Sequence, residues 1–330
     1  FDSADPEDLW KHLASYEDKT GGQGIAIPHN GNLSNGLMFG ETTFRGKKID
    51  RKYAEERIRW EPIIEMTQMK GDGETHPLLS PEDEFADYET WGLSNLAGTA
   101  AKTDDMLQYE YARSALKLGL KLGKKIGVNP YQFGMSGASD THTALATTRE
   151  ENYFGKYKSA EPGPDRHSTE VVPAQDPALR IFASQEVASG LMAVWARENT
   201  RGEIFDAMKR KEIYATTGTR IRVRVFAGWD FEADEVMRHD FVAEGYRRGV
   251  PMGGNLYKAP DGKAPSFMVR ALRDPDGANV DRIQIIKGWL DAKGETHERI
   301  YDVAVSDDRE IGDDGRAKDP VGSTVDIEKA

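Results

Sequence analysis

The chain has 330 residues, with 44 Lys and Arg against 56 Asp and Glu, and the formal charge of -12 argues against nucleic acid as a partner. It contains no Cys, which excludes thiolate nucleophiles, disulfides, iron–sulfur ligation and Cys-type zinc sites, so any metal must sit on His, Asp and Glu. The apolar runs, such as Gly190 to Trp195, fall far short of the roughly 20 residues a membrane-spanning helix needs, and no membrane span is expected.

Asp5-Pro6-Glu7-Asp8 predicts a helix start, because Asp can cap, Pro suits the first helical position and acids complement the dipole; Leu9, Leu13 and Tyr16 would form its inner face. Gly21-Gly22-Gln23-Gly24 ends that helix. The apolar run Ile25 to Asn30 then predicts a buried parallel strand with His29 at its carboxyl end. A helix around Asp50 to Trp60 precedes a second buried run, Pro62 to Gln68, which exits into a loop carrying Lys70, Glu74 and His76.

A long helix is predicted from about Asp104 to Lys125, with Ala112, Ala115, Leu116 and Leu120 opposite a basic stripe of Arg113, Lys117 and Lys121. The stripe reads as a solvated face stabilised by the dipole, with phosphate binding as the alternative. Tyr131 to Gly137 is a third strand that runs into Asp140 and His142. The Pro-, Gly- and charge-rich stretch from Tyr153 to Pro177 reads as a mobile loop or lid, and Thr200 with Glu203 makes a capping box. After residue 216 the period changes to two. Arg220 to Phe226, Ser266 to Leu272 and Asp281 to Leu290 are antiparallel strand candidates, so this region reads as all-β. Arg220, Arg222 and Arg224 share one face, read as solvated, with a groove for an anionic ligand as the alternative.

Strands separated by helices, each ending in a ligand-type residue, suggest a parallel barrel or open sheet with its site at the strands' carboxyl ends. Asp140-Thr141-His142 is the strongest local signal, since residues two apart on an extended strand end point the same way and can reach one metal. The bland reading is a turn with an Asp–His hydrogen bond. His29 is a ligand candidate or a hydrogen-bonded rim residue. Lys70, Glu74 and His76 supply oxyanion-stabilising and proton-transfer groups, or else a solvated charged turn. His12, His167, His239 and His297 receive no role. Gly134-Met135-Ser136-Gly137-Ala138 lacks the second Gly of a nucleophile elbow, Gly21 to Gly24 lacks dinucleotide-loop spacing, and Asp274-Pro275-Asp276-Gly277 places Gly too early for a calcium loop.

The stretches IPHNGN, IIEMTQMKGDGETHP, NPYQFGMSGASDTHTA, ENTRGEIFDAMKRKEIYATTGTRIRVRVFAGWDF and DPDGANVDRIQIIKGW together resemble the bacterial domain-of-unknown-function 3604 (DUF3604) family. That family looks like a relative of the polymerase-and-histidinol-phosphatase (PHP) hydrolases. The resemblance implies an α/β fold: part of a distorted, TIM-like βα barrel over residues 1–215, followed by a mostly antiparallel, sandwich-like β domain over 216–330. It implies His29, Asp140 and His142 as metal ligands, Glu74, His76 and Lys70 as catalytic candidates, and two or more Mn or Zn ions in the complete protein. The family's opening His-x-His pair does not occur here, so a preceding segment of the same protein is expected to complete the site. The implied activity is metal-assisted hydrolysis of a small-molecule or oligosaccharide substrate, foremost the N-acetyl amide of an amino sugar. Phosphate or sulfate esters are the alternative, and a non-catalytic glycan- or partner-binding module is the second.

Overall fold

The computed structural model describes residues 2–144, 156 and 163–322. Helix α1 (Pro6–Thr20) begins as expected: the Asp5 side chain accepts from Glu7 N, and Gly21 closes the helix at φ 68°, a left-handed turn that costs Gly little. Helix α2 (Arg51–Trp60) is capped by Asp50, which accepts from Tyr53 N. Strand β1 (Ile63–Gln68) follows and turns back into the short β2 (Gly71–Asp72).

The helix expected from Asp104 is broken into α3 (Asp104–Leu107) and α4 (Ala112–Ile126). Between them Glu110, fully buried, turns inward to accept from Lys102 Nζ at 2.7 Å and from Gly36 N at 3.0 Å. An inward-facing charge at that point outweighs the modest gain from one more helical turn. Strand β3 (Gly134–Gly137) then pairs parallel to β1, with Ile63 opposite Gly134, giving the order β2-β1-β3.

Beyond it lie the two-stranded sheet of β4 (Glu170–Val172) and β5 (Ile181–Phe182), and the antiparallel pair of β6 (Leu191–Val194) with β7 (Ile213–Thr216), separated by α5 (Arg201–Lys209). Thr200 caps α5 through its hydroxyl, as expected. Trp10, Phe39, Tyr53, Trp60, Ile64, Met66 and Tyr131 form the main core, where α1, α2 and α4 meet the β1–β3 sheet.

The expectation for the first apolar run is corrected. Ile25 to Asn30 is extended but not a strand. It makes only scattered bonds, Ala26 N to Trp60 O at 2.7 Å and Glu65 N to Pro28 O at 2.9 Å, because Pro28 has no N–H to give and Asn30 turns left-handed at φ 58°. Mixed α/β architecture holds, but the described residues form small sheets and no closed barrel.

The region after residue 216 is not all-β either. Strand β8 (Arg222–Gly228) lies between β9 (Gly249–Pro251) and β10 (Ser266–Leu272), and the amphipathic helix α6 (Phe241–Arg248) packs on it through Phe226, Phe231 and Phe241. A separate antiparallel hairpin joins β11 (Arg282–Leu290) to β12 (Thr296–Val305). It sits against α4: Glu298 accepts from Ser80 Oγ at 2.6 Å and pairs with Lys117 at 3.1 Å, while Lys121 reaches Glu295 at 3.6 Å. The basic stripe of α4 is therefore an intramolecular interface rather than a solvated face. Of the stretch expected to form a lid, residues 153–155 and 157–162 lie outside the described residues; its later part contains a 3-10 turn (Arg166–Ser168) and β4. No helix among the described residues is long and apolar enough to cross a membrane.

Gly137 closes the junction between β3 and β6. A Cβ there would lie 2.5 Å from Leu191 O and 2.9 Å from Leu191 N, both backbone atoms that cannot swing away. Gly137→Ala is therefore expected to destabilise the fold by about 1–3 kcal/mol. An unchanged urea midpoint would show that β3 and β6 are not packed this closely.

Candidate functional site

The carboxyl ends of the parallel strands β1 and β3 bring four charged groups together. Past β1, Gln68 accepts from both the backbone N–H and the ammonium of Lys70, at 2.8 and 3.1 Å, and its own amide donates to Asn30 Oδ1 at 2.8 Å. Past β3, Ala138 N donates to Thr67 O at 3.0 Å and Asp140 takes a left-handed turn at φ 53°, which Asp tolerates better than most side chains.

Asp140 is ion-paired with the Lys70 ammonium and with that of Lys156, the latter at 2.5 Å. Lys156 Nζ also donates to Asp140 O at 2.6 Å and lies 3.1 Å from His142 Nε2, which is itself 3.2 Å from Asp140 Oδ1. Lys70 and Lys156 are both buried, while the His142 ring is exposed.

Two ammonium groups side by side in a poorly hydrated place disfavour each other's charge. Burial first, then Lys156, pulls Lys70 down to about 7, against the carboxylates of Glu65 and Glu186. Burial lowers Lys156 as well. His142 is held below its ordinary value by burial and by the positive charge of Lys156 and Lys70, with His29 adding to it. Glu65 is raised by burial, opposed by His29 and Lys70. His29 is exposed on the extended segment beside β1. Thus His29, Lys70, Asp140 and His142 belong to one electrostatic neighbourhood, to which the structure adds Glu65, Lys156 and Glu186.

Glu74 and His76 lie elsewhere. Glu74 pairs with Arg113, which also donates to the buried Asp83 at 2.6 Å. His76 Nδ1 accepts from Leu78 N at 3.2 Å, its ring rests on Tyr111, and burial lowers its pKa. Glu74 instead borders a cleft of about 470 Å³ between the β1 sheet and β11, whose walls include Thr67, Asp72, Tyr88, Thr216 and Gln284. The cleft and the charged cluster share β1: Thr67 faces the cleft and its neighbour Gln68 holds Lys70.

Within this cleft Asp72 is pushed up to about 7, by burial first and then by the negative charge of Glu74. The folded protein then keeps a proton on Asp72 between 3.8 and about 7 while the unfolded chain has released it. Stability should fall as pH rises across that interval, by at most about 4 kcal/mol from this group. Glu65 and Glu89, also raised by burial, act in the same direction. His76, His142 and Lys70, all lowered by burial, act in the opposite direction, so the difference between proteins isolates Asp72: the urea midpoint of Asp72→Asn should gain on that of the native protein from pH 4 to 7, and a constant difference would remove Asp72 as a source of pH dependence.

Sequence reading found Lys70, Asp140, His142 and His29 but missed Lys156, Glu65 and Asp72. Glu65 had a visible signal, a lone acid inside the apolar run Ile63-Ile64-Glu65-Met66. Lys156 had none, lying in a polar stretch among many other charges.

The donor types suit a divalent cation: Asp140 and His142 offer a carboxylate oxygen and an imidazole nitrogen side by side. Among the described residues, however, no three His, Asp or Glu side chains are gathered as a metal-holding group, and ammonium groups occupy the Asp140 carboxylate. A cation bound to Asp140 would have to displace the lysines.

No curated protein and no solved structure matches the chain. Over residues 1–330 it matches the family described as "Protein of unknown function (DUF3604)", and it belongs to that family.

Proposed function

We propose that this member of the DUF3604 family is a metal-dependent hydrolase of the PHP type, with the parallel β1–β3 pair as an arc of that fold's distorted barrel. The observation that supports it most is the convergence of Asp140, His142, Lys70 and Lys156 at the carboxyl ends of two parallel strands. Asp140 and His142 would hold the cation, with His29 as a further ligand, and Mn or Zn suits these donors. A bound cation there would supply a water of lowered pKa and polarise the scissile group.

The chain's own residues do the rest. The ammonium groups of Lys70 and Lys156 offset the negative charge that develops on the substrate oxygen. Asp72, protonated up to about pH 7, offers a proton to a leaving group in the cleft. The neutral hydroxyls and amide of Thr67, Tyr88, Thr216 and Gln284 suit an uncharged, polyhydroxylated body. That favours the N-acetyl amide of an amino sugar as the bond cleaved. A phosphate or sulfate ester is the second reading, favoured by the two neighbouring ammonium groups, which match a multiply charged anion.

The protein would be incubated with Mn or Zn, desalted and assayed for retained metal. Acetate release from N-acetylglucosamine would be compared with phosphate release from a sugar phosphate and sulfate release from a sugar sulfate. Stoichiometric metal with acetate release supports the first reading; phosphate or sulfate release supports the second. Absence of both retained metal and turnover would leave the glycan- or partner-binding alternative in the lead.

A further inference from the structure

Strand β8 places Arg222, Arg224 and Phe226 on one face and Val223 and Val225 on the other. The arginine face is the buried one: exposure falls from Arg222, which is exposed, to 6% at Arg224 and 0% at Phe226. Arg224 lies flat among rings, its guanidinium carbon 4.5 Å from the Trp195 ring, 5.0 Å from Phe226 and 5.2 Å from Tyr246. Its Nη2 pairs with Glu212 at 3.0 Å and donates to the Tyr246 hydroxyl. Its Nε and Nη1 are shielded from solvent and have no hydrogen-bond partner among the described residues. Buried donors left in that state are costly, and the cost is relieved when an acceptor arrives.

Arg224 forms part of the wall of a cavity of about 750 Å³, with Trp195, Arg197, Arg210, Glu212 and Tyr246. Three arginines face one carboxylate, and that carboxylate is divided: Glu212 Oε1 serves Arg224 and Tyr246, while Oε2 lies 3.5 Å from Arg210. Arg197 is exposed and makes no ion pair among the described residues. The cavity therefore carries surplus positive charge in a chain whose net charge is -12. It is also separate from the strand-end cluster. Gly190, before β6, bonds Ala138 near Asp140, whereas Trp195, after β6, bonds Glu212. The intervening strand spans roughly 13 Å at about 3.3 Å per residue.

We propose that this cavity binds a small molecule through an oxyanion, held by Arg197 and Arg210 at the mouth and Arg224 in the wall, with its body against Trp195 and Tyr246. Planar guanidinium groups match carboxylate and phosphate oxygens, and the volume lies within the range of small-molecule sites. This does not depend on the hydrolase reading.

Isothermal titration calorimetry on the whole chain at constant ionic strength, with glucuronate, glucose 6-phosphate and glucose, tests it. Saturable binding of at least one anion and none of glucose is expected. Arg197→Ala and Arg210→Ala, both at exposed positions and so compatible with folding, should each weaken binding about tenfold or more. Binding of glucuronate alone identifies a carboxylate, of glucose 6-phosphate alone a phosphate, and of both an oxyanion irrespective of its centre. No saturable heat from either anion, equal binding of glucose, or unchanged affinity in both variants would overturn the proposal.

Discussion

On the proposed hydrolase reading, Asp140→Asn will lower turnover by at least about a hundredfold while the protein remains folded. The substitution is chosen because Asn accepts the left-handed backbone at φ 53° nearly as well as Asp, so the change is one of charge rather than of chain conformation. In the native protein that charge faces the ammonium groups of Lys70 and Lys156 and the His142 imidazole together. Without it, two buried ammonium groups lose a directly paired carboxylate, leaving the fields of Glu65 and Glu186, and a stability loss of about 3 kcal/mol is expected. Denaturant unfolding and turnover, measured on the same preparation, separate the two effects. Lost stability with full turnover would make Asp140 a structural counterion only. Full turnover with an unchanged midpoint would remove it from both roles.

Glu110→Ala will cost about 3–5 kcal/mol, measured as a fall in the urea midpoint. Glu110 lies inside the protein with Lys102, whose ammonium also reaches Asn32 O, and Asn32 in turn donates to Lys70 O at 3.0 Å. Removing the carboxylate leaves the Lys102 charge buried without its acid and frees Gly36 N from its acceptor. Glu110→Gln keeps an acceptor for Gly36 and should recover part of the loss. On the proposed hydrolase reading, the effect should reach Lys70 through Asn32, so turnover should fall more than the unfolded fraction explains. A midpoint within about 0.5 kcal/mol of the native value would mean that Lys102 finds another acid or water.

Helices α1 and α2 and strands β1, β10 and β11 fall within a residue or two of where capping chemistry and apolar periodicity put them, because these signals are local. Sidedness is not local. The alternation of Arg220 to Phe226 shows that the arginines share a face but not that the face is covered, which depends on Trp195, Glu212 and Tyr246 from other elements. The coverage of the stripe on α4 is hidden for the same reason, since its partners are Glu74, Asp83, Glu295 and Glu298. Of the candidate site, the Asp140–His142 pair takes the form of the alternative reading, a turn with an Asp–His hydrogen bond, because Asp140 is left-handed rather than extended. Lys156 is not legible, because a long connection brings it there, and the separation of Glu74 and His76 from the cluster follows from a turn pinned by Arg113 and Tyr111.

The contacts of Glu298 have a kinetic side. Its partners Ser80 and Lys117 precede it by 218 and 181 residues, so these contacts close very long loops. At about 5–20 residues per second, a ribosome delivers β12 on the order of ten to forty seconds after α4. Throughout that time the cationic side of α4 has no hairpin to meet, and the partly made chain is open to association with acidic surfaces of other molecules. Docking of β11–β12 should then be a late, slow phase of refolding, because entropy must be lost in closing the loop before these ion pairs can form.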